Sequence, residues 1–97
     1  MVFTWDVQKA IANFEKHGVS FEEAATAFTD YDGLHIDDVE HSQEEPRFFR
    51  IGKSCEDRIL TIVFTVRMLS DGKETIRIIS ARQASKKERE AYTRLSD

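Results

Sequence analysis

At 97 residues the chain has room for one packed core and excludes a multi-domain enzyme, so the expected unit is a single domain over 1–97. With 40% hydrophobic residues, one proline and no low-complexity run it is not a disordered segment, and no stretch reaches the roughly 20 apolar residues of a membrane-spanning helix. The net charge of −4 hides an asymmetry: residues 1–46 carry two basic and eleven acidic side chains, net −9, whereas 47–97 carry twelve and seven, net +5, so the second half is the part suited to a polyanion.

The opening MVFTWDVQKA lacks the basic and then apolar pattern of a signal peptide. Cys55 is the single cysteine, which rules out an internal disulfide and fits a reducing cytoplasm. VFTW reads as a short first strand, with Trp5 a core candidate. Asp6 is placed to cap a helix in which Val7, Ala10, Ile11 and Phe14 share one face, the face expected to lie on a sheet. Gly18 ends that helix, with Lys16 and His17 in the last turn, where cations suit the dipole. Ser20 and Glu23 form a capping box for a second helix, whose apolar face is Phe21, Ala24, Ala25 and Phe28.

From Asp30 the period changes. GLHIDD is a short polar strand candidate that places His35 on the outer face of an edge strand, and a polar loop over 38–46 contains His41. RFFRIGKSC, RILTIVFTVR and ETIRIISAR follow, rich in β-branched and aromatic residues and separated by the turns SCED and LSDGK, so consecutive strands are antiparallel. A last helix is capped by Ser85 with Glu88 in a second box, and Tyr92 is a packing residue on it. Strand, two helices, four strands and a helix indicate an α+β fold: an antiparallel sheet with the two early helices on one face and a short C-terminal helix.

Alternation puts Leu60, Ile62, Phe64 and Val66 on the helix-covered side of the sheet. Ile59, Thr61, Val63, Thr65 and Arg67 fall on the other, and a symmetric turn adds Ile76, Ile78, Ser80 and Arg82 to them. Antiparallel pairing brings Arg82 beside Arg58 and Lys53, with Lys86 and Lys87 just after. Arg67 lies roughly 25 Å further along its strand. These cations, with Arg50 in RFFRIG, are the candidate polyanion contacts.

The segments FTWDVQKAIANFEKHGVSFEEAATAF, HSQEEPRFFRIG and RILTIVFTVR…IRIISARQASKKEREAY, in this order over nearly the whole chain, resemble the BrnT family of bacterial ribonuclease toxins; KHGVSFEEA and RIISAR are the most specific pieces. The resemblance implies a RelE-like fold, RNA cleavage without a metal or other cofactor, and a BrnA-type antitoxin. That antitoxin would carry a ribbon–helix–helix domain, form a hetero-oligomer with the toxin and link it indirectly to DNA. One position departs from the pattern: many relatives have a glutamate where this chain has Val66, just before Arg67.

Metal-free RNA cleavage needs cations for the charge that builds on the phosphate as the ribose 2′-OH attacks. A planar guanidinium binds two phosphate oxygens at once, and loss of one such donor raises a barrier by roughly 3 kcal/mol. Arg82 and Arg58 are expected to hold the scissile phosphate, Arg67 to hold RNA or a second site, and Lys53, Arg50, Lys86 and Lys87 to bind RNA. His17 is the expected proton-transfer group; its structural alternative is a cation closing the helix. No paired cysteines or His-x-x-x-His spacing point to a metal. A partner module of a DNA-binding repressor, without catalysis, is the alternative that Val66 favours.

Overall fold

The computed structural model of the protein describes residues 1–40 and 45–95; His41 and the middle of the expected 38–46 loop, residues 41–44, lie outside the described residues. The element order is β1 (Val2–Thr4), α1 (Val7–His17), α2 (Phe21–Thr26), a 3-10 turn (Ala27–Thr29), β2 (Leu34–Asp38), β3 (Arg47–Lys53), β4 (Ile59–Met68), β5 (Glu74–Gln83) and α3 (Lys86–Leu95). One five-stranded sheet has the order β1-β5-β4-β3-β2. Strands β2 to β5 are antiparallel, as the short turns require, while β1 joins β5 in parallel.

Local chemistry sets the helix ends. The Asp6 carboxylate accepts from the N–H groups of Gln8 and Lys9 at 2.9 and 3.1 Å. Gly18 closes α1 at φ 68°, a left-handed conformation that glycine adopts without steric cost. The Ser20 hydroxyl accepts from Glu23 N–H at 3.0 Å. The second half of that capping box is not made, because the Glu23 carboxylate turns to Arg58 and Ser54 instead. At α3 both halves form: Glu88 N–H donates to the Ser85 hydroxyl at 3.2 Å, and Ser85 N–H donates to Glu88 Oε1 at 2.8 Å.

The main core lies between the early helices and one face of the sheet, where Val19, Phe21, Ala24, Ala27, Leu60, Ile62, Ile78 and Ala81 are buried, with Trp5 packed against them. Helix α2 presents its expected face. Helix α1 does not: Val7, Ile11 and Phe14 are 67%, 56% and 56% exposed, and Asn13 is buried in their place. The reason is a hydrogen-bonding demand. Strand β1 pairs only with Thr75–Arg77, so β5 beyond that point has an edge with no neighbouring strand. The Asn13 side-chain amide serves it, accepting from Ala81 N–H at 3.1 Å and donating to Ala81 C=O at 2.8 Å and to Val19 C=O at 3.0 Å. One amide thus stands in for a strand, and it turns the apolar stripe of α1 outward.

A smaller cluster of Ile51, Ala84 and Tyr92, with Leu34 and Ile59, seats α3 on the opposite face, at the β2–β3 end of the sheet. The Tyr92 hydroxyl donates to Asp30 at 2.6 Å, which ties α3 to the turn before β2. The face assignment of β5 also changes. Val63 pairs with Ser80 and Phe64 with Ile78, so Ile79 is an extra residue that resets the alternation. Ser80 and Arg82 lie on the open face as expected, whereas Ile76 and Ile78 turn to the core.

Candidate nucleic-acid interface

The open face is read off the cross-strand register. One row runs Leu34, Ile51, Thr61, Arg82; the next runs Ile36, Phe49, Val63, Ser80; a third runs Asp38, Arg47, Thr65, Arg77, with Arg67 and Thr75 beyond. In the first two rows the β2 and β3 positions are apolar and the β5 positions are polar, Arg82 and Ser80; the third row is polar throughout. Helix α3 lies over the first row, with Tyr92 packed toward Leu34 and Ile51 and Glu88 bonded to Thr61 and Arg82. Between α3 and the uncovered strands runs a groove of about 400 Å³, bordered by Ile36, Phe49, Thr61, Arg82, Lys87 and Glu88.

Arg82 borders this groove in a fixed pose. Its Nη1–H and Nη2–H donate to the two Glu88 carboxylate oxygens at 2.7 and 2.9 Å, and Nη1 also donates to Gln83 C=O at 3.3 Å. Thr61 donates its hydroxyl proton to the same carboxylate at 3.0 Å. Glu88 is held down to a pKa of about 2, first by the Arg82 hydrogen bond, which outweighs its partial burial, and then by Ser85 N–H and Thr61. It is therefore ionised at any physiological pH. A guanidinium has five N–H groups in a plane. Glu88 takes the end-on fork and leaves the side fork, Nε–H with the second Nη2–H, with no partner among the described residues.

The cations expected beside Arg82 do not all gather there. Arg58 lies on the opposite face, in line with Leu60 and Ile62. Its Nε–H donates to Glu23 at 2.9 Å, its Nη2 makes a second, very short contact with the same carboxylate, and Nη2 donates to Gly18 C=O at 3.1 Å. The structure thus separates Arg58 from Arg82, because residues 58 and 61 differ in strand parity and the Glu23 carboxylate draws Arg58 toward α2. That ion pair lowers the Glu23 pKa and raises the Arg58 pKa. Arg67 is on the open face, paired through Nε and Nη2 with Glu45 at 3.1 Å each.

Arg50 faces the helix side. It donates to Ala27 C=O at 3.1 Å and Asp30 C=O at 2.7 Å and lies 5.4 Å from the Phe28 ring centre, bracing the 3-10 turn. Lys53 is exposed beside Asp57 at 3.8 Å. Lys86 and Lys87 are exposed in the first turn of α3. His17 is half-buried at the end of α1. It follows Asn13, which bonds Ala81, and precedes Gly18, whose C=O accepts from Arg58, so it belongs to the helix that packs on the face opposite the groove. His35 is exposed on edge strand β2 and stacks on Phe48 with centres 5.0 Å apart.

Val66 pairs with Ile76 and faces the helix side, away from the groove. Phe49 and Thr61 line the groove without having been singled out as site residues; the signal lay in the period of two through RFFRIG, read together with the pairing of β3 and β4. Among the described residues no three His, Cys, Asp or Glu side chains gather as a metal-ligand set, and no helix is long and apolar enough to cross a membrane.

A family model described as "Ribonuclease toxin, BrnT, of type II toxin-antitoxin system" matches residues 5–88. Among solved structures, the chain is similar to the ribonuclease toxin BrnT of Brucella abortus, with 22% identity, 89% of this chain and 100% of that chain covered, and a TM-score of 0.63. At that identity the likeness speaks to the fold. No protein of curated function matches the chain.

Proposed function

The chain belongs to the BrnT family, ribonuclease toxins of type II toxin–antitoxin systems, and on that footing we propose that it is a metal-independent endoribonuclease that binds RNA along the open face of the sheet, with Arg82 on the scissile phosphate. The observation that carries this reading is the Arg82 guanidinium, oriented by Glu88 at the side of the groove with its second fork free. A phosphate received there meets two parallel N–H donors fixed before it arrives, so charge developing during 2′-OH attack is stabilised without reorganisation. Lys87 adds charge at the groove, and Arg67 lies further along the same face. His17, in the last turn of α1, is the group assigned to proton transfer. Arg58, whose side fork is closed by Glu23, braces α2 against β4 in this reading.

Val66 carries less weight for the non-catalytic alternative than the sequence gives it. A carboxylate at that position would sit on the helix side, across the sheet from Arg82. The test is cleavage of total RNA by the purified protein with and without EDTA, alongside Arg82→Ala. Cleavage that survives EDTA and falls about 100-fold in a folded Arg82→Ala variant supports the assignment; a folded variant of undiminished activity removes it.

The partner in this reading is a BrnA-type antitoxin with a ribbon–helix–helix domain, which gives the complex an indirect hold on DNA. The outward stripe of α1 is its assigned contact. Val7, Ile11 and Phe14 line a groove of about 490 Å³ with Trp5, rimmed by Glu15 and Glu22. The apolar floor and acidic rim fit an amphipathic basic segment.

A further inference from the structure

Resting on the RNA reading above, we infer that the groove beside Arg82 contains a nucleobase subsite in which Phe49 stacks against an unpaired base. The aromatic inventory separates Phe49 from its neighbours. Phe3, Phe21, Phe28, Phe48 and Phe64 are all engaged in ring contacts on the helix side of the sheet, with centres 4.9–5.9 Å apart. Phe49 points to the other side. It is half-buried in the groove and makes no ring contact among the described residues.

Its surroundings fit one class of ligand. Ile36 and Val63 flank Phe49 in the same cross-strand row, giving a flat apolar floor three strands wide. Arg82 lies in the adjacent row two strands away, roughly 12 Å between Cα atoms by sheet spacing. An arginine side chain and one nucleotide bridge that span. The Ser85 hydroxyl accepts from Glu88 N–H and keeps its own proton for a ligand. Flat faces for stacking, polar groups at the margin and a guanidinium at phosphate distance describe an unstacked nucleotide of single-stranded RNA. The volume, about 400 Å³, is within the range of small-ligand clefts.

The experiment uses a short single-stranded RNA carrying one 2-aminopurine and 2′-O-methyl riboses, which cannot cleave. Its binding is followed by fluorescence with the wild-type protein, Phe49→Leu and Phe49→Trp, while cleavage of ordinary RNA is measured in parallel. Leucine keeps the apolar packing and removes the ring. Phe49→Leu is expected to weaken binding about 5- to 150-fold, the range of one base–aromatic stack, and to abolish the quenching that wild type and Phe49→Trp produce. Equal affinity and equal quenching in Phe49→Leu overturn the subsite, as does a Phe49→Leu protein that loses only its antitoxin, which marks the groove as a protein contact.

The outcomes also separate the two readings. Ring-dependent quenching without cleavage of ordinary RNA retains the subsite and removes the ribonuclease assignment. Cleavage with ring-independent binding does the reverse, and the absence of both removes both.

Discussion

Asn13 is the residue on which the packing of α1 turns. It sits two positions after Ile11 in a helix whose apolar pattern points elsewhere, and it overrides that pattern because an unpaired strand edge costs more than an exposed stripe. A buried N–H or C=O left without a partner costs about 1–3 kcal/mol, and three such groups depend on this amide. Asn13→Ala is therefore expected to destabilise the fold by roughly 2–4 kcal/mol, read as a lower urea midpoint with an unchanged slope. Asn13→Asp should be worse, since a carboxylate satisfies Ala81 N–H and repels the carbonyls of Ala81 and Val19. A midpoint within error of wild type for Asn13→Ala would mean that water takes over the edge. The sequence holds no sign of this role: an asparagine in mid-helix reads as a neutral surface residue until the strand edge that it completes is known.

The elements were legible where their signals are local. Both capping serines, the glycine that ends α1, the three long strands and the antiparallel order of β2–β5 follow from spacing within a few residues, and the family resemblance points to the same α+β arrangement. Where a side chain has a choice of partners, locality fails. Glu23 and Glu88 occupy the same place in two capping boxes, yet only Glu88 reaches back to its cap; Glu23 is drawn to Arg58, 35 positions away in the chain. The extra residue at Ile79 is equally silent, since ETIRIISAR alternates acceptably in either phase. At α1 the consequence is functional. Because Val7, Ile11 and Phe14 contribute little to the core, charge placed there should leave the fold intact. Ile11→Asp with Phe14→Asp is expected to reduce antitoxin affinity more than tenfold in a titration while RNA cleavage by the free protein stays within twofold. Full-strength association of that double variant would move the antitoxin contact elsewhere on the molecule.

Across the whole molecule, the charge asymmetry of the sequence becomes a difference between surfaces. The acidic first half supplies α1, α2 and the edge strand β2; the basic second half supplies β3 to β5 and α3, which carry Arg67, Arg77, Arg82 and Lys87 to the open face, while Arg50 and Arg58 turn to the helix side. A protein of net charge −4 can thus hold a polyanion on one side, because the Debye length at physiological salt is about 8 Å and the far side is screened. Arg58 leaves the cluster expected around Arg82, Arg67 stands apart from it as expected, and the open face carries a line of cations, Arg82 and Lys87 at one end and Arg77 and Arg67 toward the other. A line suits an extended strand, which places phosphates in succession. Engagement of three or four of them predicts a slope of log K against log salt of about −2 to −3, by the roughly −0.7 per phosphate of single strands. Arg67→Gln should flatten that slope by about one phosphate and leave the cleavage pattern unchanged, since Arg67 sits far from the groove. Arg82→Gln should flatten it similarly and cut cleavage about 100-fold. A slope near zero for the wild-type protein would mean that RNA, if it binds, does so without the phosphate line, and the open face would lose its claim as the substrate surface.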